Sequence, residues 1–492
     1  MTAAAGCIRE VVLAARFGAS AEMDAFYFSW ALVQSMHDLL FAGSLGAAVV
    51  PLLKGHRTDL ATAEQAKLVL TITVLVALIA SVIAYTLWLT LPALIDFVAP
   101  RMSERVRGTS ILFTEILIWV LPFNALITVL ILALNAHNHF ALAAAVYPIN
   151  TLLFICSVLL LAPRFGAIGL PIAGLVGPLV TAPLLIGQLA RMGLLYPLRL
   201  DLSRALIGSF WQLSRPLVWS LGIGGPTGLL MVSHLLLRSF AADYHDGAIA
   251  ALGYAFRLYE LPISLIVNPV ATLVFPSITA LYISGQMSRI SEICRHILML
   301  GLVVLFPAAV IIWAGADLIV DLLLRWGQFN QEAAQLTANA LRGFAPAIIA
   351  EAAFVLLFRI FYAIQRSKET VLIAFLTIVA LFIMLLATAH IAFVAIPLAL
   401  SVAFTGTSAS LIIMLIYGID RTAVPEWSQL APWLLSAFVG LTALWLVVGN
   451  FPKNMWSEFS ALVAFSCGYI AAVSVLLPNF RCAALRILRG II

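Results

Sequence analysis

The feature that most limits what this chain can become is a series of apolar runs, each about 20 residues or longer, recurring along its whole length. Fourteen can be counted, near 1–18, 24–53, 67–95, 109–134, 139–162, 167–190, 214–238, 247–282, 294–323, 333–364, 369–390, 392–417, 429–449 and 458–479. In hydrocarbon no water is available to pair with backbone N–H and C=O groups, so such a run crosses only as a helix with internal hydrogen bonds. A membrane β-barrel would instead show segments of about 10 residues with alternating polarity. Only 10% of the residues are charged, against about 25% in soluble domains. The expected fold is therefore an all-α polytopic membrane protein of about 14 transmembrane helices. Runs longer than a span predict helices that tilt, or that break at Gly or Pro. Residues 1–18 would give about 27 Å of helix, so that span is either little tilted or begins upstream of Met1.

An even number of spans puts both termini on one side. Lys and Arg are about twice as frequent in the loops on that side, which places both termini in the cytoplasm. Arg101, Arg105 and Arg107 cluster on the other side, against the trend. The basic segment 191–215, RMGLLYPLRLDLSRALIGSFWQLSR, reads as an amphipathic cytoplasmic connector at the headgroups. It divides six spans (1–190) from the next six (216–417), with the last two spans and a tail at 418–492. Two six-helix lobes around a midplane site are a common plan for secondary transporters. Here the lobes follow from segment count, because no internal sequence repeat is evident.

Several function classes drop out. The net charge of +5 does not imply a nucleic-acid partner, because basic residues in a membrane protein mark cytoplasmic loops. The five cysteines are far apart and none lies in a CxxC pair, so neither a metal site nor a disulfide framework is expected. The N-terminus lacks the basic and apolar regions of a cleavable signal peptide. No GxxxxGK[ST], HExxH or GxSxG element occurs, so no enzyme and no cofactor are expected, and the energy must come from a potential, an ion gradient or substrate supply.

The charges that lie inside apolar runs are the candidates for function. Arg9, Glu10, Arg16, Asp24, His37 and Asp38 are scattered through the first 53 residues among glycines. A charge at the bilayer centre costs about 2.5–3.5 kcal/mol on insertion scales, so such residues face a protein interior or a polar cavity. Arg9 and Arg257 are the candidate substrate residues; the alternative is a structural pair, Arg9 with Asp38 or Arg257 with Glu260. His37 reads as a cavity ligand or as a hydrogen-bonded packing residue. Asp24 fits a cap of the helix that begins AFYFSWALV better than a coupling acid. Glu115 and Glu351 could carry protons or cations, and Glu351 stands too far from Arg359 to pair along one helix. Arg342 falls in the same run, and Arg359 near its cytoplasmic end could reach the headgroups. Pro216, Pro226, Pro262, Pro269 and Pro276 predict kinks that serve either as hinges or as fixed bends.

Four stretches, in order and spacing, carry a resemblance: GCIREVVLAARFGASAEMDAF with the later VVPLL, LNAHNHFALAAAVYPIN, GYAFRLYELPISLIVNPVATLVFPSI, and LLLRWGQFNQEAAQLTANALRGFAP with FRIFYAIQRSKET. Together they resemble the MurJ/MviN family of lipid II flippases, within the multidrug/oligosaccharidyl-lipid/polysaccharide exporter superfamily. The resemblance implies two six-helix lobes around a cavity that is cationic at its base, plus two helices that extend a groove for a lipid tail. It implies a bacterial inner-membrane protein that translocates an undecaprenyl-pyrophosphate-linked glycan by alternating access, with cell-wall or polysaccharide synthesis enzymes as candidate partners. Arg9 and Arg257 match arginines of the family pattern, and Asp24 matches the Asp of its DAF element. Glu10 stands where Asp is usual, Phe256 replaces an Asp, and Thr2-Ala3 replaces a Ser-Arg pair. His37-Asp38 stands where the family has Arg-Arg, and Ala42 where it has Glu. These departures leave room for a different polyprenyl-linked glycan, as in exopolysaccharide export, or for a scaffold that kept the fold without transport.

Overall fold

The computed structural model describes residues 2–42, 62–137, 139–194, 225–364, 366–418, 423–450 and 455–477. The whole of VVPLL, most of the 191–215 connector and the C-terminal tail lie outside the described residues. Those described form helices and short connections, with no strand among them. Among the described residues eight helices are long and apolar enough to cross a membrane, or ten if each of two bent pairs counts as one span. Fourteen crossings are not reached on this measure. Among the described residues Thr2–Phe17 has 16 residues, and Ala21–His37 has 17 before it continues into a π turn, each short of the about 20 needed for a bilayer.

The chain divides by packing into two compact units, Met1–Ala250 and Ala251–Ile492. The first holds α1 (Thr2–Phe17), α2 (Ala21–His37), α3 (Thr62–Leu89), α4 (Leu91–Val98), α5 (Glu104–Leu117), α6 (Val120–Ala136), α7 (Phe140–Phe165), α8 (Gly169–Arg191) and α9 (Gly225–Ala241). Its apolar core lies among α3, α6, α7 and α8, where Ile72, Leu121, Leu130, Leu134, Val146 and Leu185 are buried. α7 and α8 form a hairpin closed by the 3-10 turn Gly166–Ile168. Gly166 takes φ 59° at that turn, a left-handed conformation that glycine adopts without a Cβ penalty. α2 packs on α5 and on α9 and continues into a π turn, Asp38–Ala42. α9, expected to open the second lobe, therefore belongs by packing to the first unit. The division expected from chain order, at 191–215, is a different grouping from this one.

α10 (Ala248–Pro262) leads into the second unit, which continues with α11 (Asn268–Ile283), α12 (Met287–Ala314), α13 (Ala316–Leu323), α14 (Gln331–Phe344), α15 (Ala347–Ala363), α16 (Ser367–Thr388), α17 (Ala395–Gly418), α18 (Trp427–Asn450) and α19 (Met455–Leu476). The expected kink after Pro262 is a π turn, Ile263–Val267, with Pro269 at the start of α11. Proline lacks the N–H that would close the next helical bonds, so the backbone widens here. α14 and α15 meet at 47° across Pro346, and α5 and α6 meet at 40°. α18 and α19 pair closely, and the Tyr469 hydroxyl on α19 donates to the Val303 carbonyl of α12 at 2.9 Å.

Candidate functional site

In the first unit the polar centre is built on α1 and α2. Arg9 donates from Nε and Nη2 to Glu10 Oε1 at 3.0 and 2.6 Å. The other Glu10 oxygen accepts from the Tyr27 hydroxyl. Glu10 is 1% exposed, so this arrangement satisfies a carboxylate that water does not reach. The Arg9 guanidinium also lies over the Phe154 ring of α7, 5.7 Å from its centroid, a cation–π contact. Nη1 makes no hydrogen bond among the described residues. Arg9 therefore pairs with its chain neighbour and not with Asp38.

Asp38 instead accepts from both the His37 ring and the Gln34 amide. His37 Nδ1 lies 3.0 Å from Asp38 Oδ1, and Gln34 Nε2 lies 3.1 Å from each Asp38 oxygen. The far His37 nitrogen, Nε2, lies 3.4 Å from Thr128 Oγ1 on α6. The position that carries Arg-Arg in the family pattern thus holds a histidine beside its own acid.

Asp24 corrects an expectation. Its own helix is capped by Ser20, whose hydroxyl accepts from Met23 N at 3.3 Å. Asp24 caps a different helix: its carboxylate accepts from Gly247 N at 2.5 Å and Ala250 N at 2.6 Å, at the start of α10. Two of the orphan N–H groups at that helix end are satisfied by a negative charge that also suits the helix dipole. Nearby, Arg101 pairs with Asp243, Arg105 with Glu22 and Arg107 with Asp96. The hydrogen-bonded Arg107 guanidinium holds the Asp96 carboxyl below the usual carboxylate range. Glu115 on α5 is half-buried and makes no hydrogen bond or ion pair among the described residues.

In the second unit Arg257 forms the expected pair, donating from Nη1 to Glu260 Oε2 at 2.5 Å. The hydroxyl of Tyr259, on the same turn, donates to Glu351 of α15. Arg342 bonds Asp317 and Asn339, and Arg359 donates to Thr272 Oγ1 at 2.9 Å. Tyr27, Phe154 and Tyr259 were not singled out in the sequence. Tyr27 lies 17 residues from Glu10 and Tyr259 lies 92 from Glu351. Neither separation has a helical period that a single sequence could display.

A helical, charge-poor chain with acid–arginine pairs inside apolar helices is a polytopic membrane protein. Its fold is that of the multidrug and lipid-exporter transporters. It matches over 97% of both chains, at TM-score 0.81 and 17% identity, a structure described as lipid II flippase MurJ in an inward closed conformation. It also matches an inward-facing MATE family transporter of the MOP superfamily, at TM-score 0.68 and 12% identity over 86% of this chain and 95% of that one. The chain belongs to the MurJ family: the family described as lipid II flippase MurJ matches residues 13–470. Among its relatives, a probable lipid II flippase MurJ of Rhizobium tropici is 28% identical over 74% of this chain and 68% of its own. One from Rhizobium meliloti (strain 1021) is 25% identical over 95% and 88%.

Proposed function

We propose that this chain is a flippase for an undecaprenyl-pyrophosphate-linked glycan precursor of the lipid II type, in the bacterial inner membrane with both termini cytoplasmic. The observation that carries the reading is the family match across residues 13–470. A charged headgroup does not cross hydrocarbon unaided, so the protein must offer it a polar path, opened alternately to the two sides. Arg9 and Arg257, each within its own unit, are the candidate groups for the pyrophosphate, with His37 assisting. Arginine suits this task because its planar fork stays charged and binds phosphate oxygens in pairs. The Arg9 Nη1 left unbonded supports that role.

A second reading keeps the chemistry and changes the glycan. His37 beside Asp38 offers no net positive charge where the family pattern has two arginines, which favours a polyprenyl-linked repeat other than lipid II.

The test is complementation of a bacterium depleted of its own lipid II flippase, with membrane insertion confirmed. Survival that disappears in the double variant Arg9→Ala, Glu10→Gln supports the lipid II reading, because that variant removes the guanidinium without leaving a buried charge unpaired. A well-inserted chain that fails to rescue overturns lipid II as substrate and turns the search to other lipid-linked glycans.

A further inference from the structure

Two glutamates are buried under tyrosine hydroxyls, one in each unit, and they differ in one respect. Glu10 has Arg9 beside it. Glu351, 7% exposed on α15, has the Tyr259 hydroxyl as its hydrogen-bond partner and no Lys, Arg or His in ion-pair contact among the described residues. Its surroundings are dry. Tyr259 and Phe344 are both 0% exposed and stack at 5.1 Å, with Phe256 edge-on to Phe344.

An ionised carboxylate in such a place costs several kcal/mol unless something neutralises it. A metal cation would need several oxygen ligands, and no group of three or more His, Cys, Asp or Glu is placed to supply them among the described residues. Glu260, next to Tyr259 in the chain, is held by Arg257 at 2.5 Å. The other helices packed on α15 are α11, α12, α16 and α17. They bring no titratable side chain into hydrogen-bond or ion-pair contact with it; the polar contact from α17 is Ser408, whose hydroxyl donates to the Ala350 carbonyl at 2.6 Å. A proton needs no such ligand set.

We propose that Glu351 is a proton-binding residue of the second unit, and that its occupancy is relayed through Tyr259 to the Arg257–Glu260 pair. As a carboxylate, Glu351 accepts the Tyr259 O–H. On taking H⁺ from a hydronium ion it becomes a carboxylic acid; one O–H bond forms on the carboxylate, one breaks in the hydronium, which leaves as water, and the charge that held the tyrosine is gone. Tyr259 lies two residues after Arg257 and immediately before Glu260 on one helix turn. A change in its anchoring is therefore felt where the arginine is held. The link to a pyrophosphate substrate rests on the flippase reading; the proton site itself does not.

The experiment uses the full chain in lipid nanodiscs and infrared difference spectra between about pH 5 and about pH 9. The expected result is a carboxylic-acid C=O band that titrates in this range and is missing from Glu351→Gln. In Glu351→Asp, which keeps the acid should the Gln variant not fold, the band moves in frequency. Wild-type spectra that match those of Glu351→Gln, or a band unmoved in Glu351→Asp, overturn the site. The titration midpoint is expected to move in Tyr259→Phe, and an unmoved midpoint overturns the relay. No substrate is present, so an absent band leaves the complementation result standing, and failed rescue with the band present counts against lipid II alone.

Discussion

At the scale of single residues, the polar groups of this protein are arranged to satisfy one another before any ligand arrives, and that shapes what substitutions will show. Arg9→Ala removes the cation that faces the buried Glu10 carboxylate. Breaking a buried pair from one side costs about 3–5 kcal/mol, so this variant should lose that much stability in detergent unfolding. Adding Glu10→Gln should recover most of it, since the amide oxygen still accepts from Tyr27. At Gly247 the backbone has φ 95°, and a Cβ would lie 2.5 Å from the Ala19 carbonyl oxygen. Gly247→Ala should therefore displace the very N–H that Asp24 accepts. Asp24→Ala leaves two buried donors without a partner and should cost about 1–3 kcal/mol for each that water does not reach. Thermal unfolding with and without each change checks both. The exposed Arg107–Asp96 pair gives a pH signature. Because the Asp96 carboxyl is held low in the folded state, its contribution is present at neutral pH and is lost as the pH falls through that lowered value. Wild type and Asp96→Asn should converge only below about pH 3.9, the ordinary aspartate value. Arg9, Arg257 and Asp24 could be picked out from sequence because a charge inside an apolar run is costly wherever it sits. Of their partners, Glu260 could be picked out too, because it stands three residues after Arg257 on one helix. Glu10 is adjacent to Arg9 in the chain, but Tyr27, Phe154 and Gly247 are brought in by packing alone.

At the scale of helices, the apolar runs were legible because hydrophobicity sustained over about 20 residues leaves the backbone few choices. The breaks were only partly legible. Pro262 and Pro269 mark the π turn at Ile263–Val267, whereas the run 333–364, longer than one span, left tilt and break both open and is two helices meeting at 47° beside Pro346. Proline disfavours the helical conformation in the residue before it, but whether a helix bends or ends there depends on the neighbours it packs against. Helix contacts in this protein rest on small residues, and their tolerance should differ in a predictable order. A Cβ on Gly343 would lie 2.6 Å from Pro397 Cγ and 2.9 Å from the Val394 carbonyl oxygen, a ring and a backbone atom that cannot rotate away. A Cβ on Gly174 would meet Leu117 Cδ2 at 2.8 Å and Trp30 Cζ3 at 3.2 Å, and the nearer atom is the end of a leucine that can change rotamer. Overpacking costs about 1–3 kcal/mol, so Gly343→Ala should sit at the upper end and Gly174→Ala at the lower. Equal losses for the two would show that the α14–α17 contact is softer than its geometry.

At the scale of the whole molecule, the open question is which face meets the cytoplasm, and the three arginines that ran against the positive-inside count bear on it. In the fold Arg101, Arg105 and Arg107 are held by Asp243, Glu22 and Asp96. They therefore have a structural reason to be where they are, tying the loop before α5 to the start of α2 and the end of α9. Orientation at insertion follows Lys and Arg in short loops rather than net charge, so these three work against the bias while the basic residues around 191–215 work with it. The reading with both termini inside places Arg101 outside and Arg191, at the end of α8, inside. Both are exposed, and cysteine substitution reports them directly. In a background with the native cysteines replaced by serine, Arg101→Cys should react with a membrane-impermeant thiol reagent in cells with a permeabilised outer membrane. Arg191→Cys should react only after the inner membrane is opened. The reverse pattern would invert the protein, and with it the side on which Arg9 and Arg257 would receive a headgroup. Labelling of both sites in intact cells would mean mixed insertion, a state in which the loop arginines cancel the bias. Neutralising Arg101 together with its partner Asp243 should then restore a single orientation.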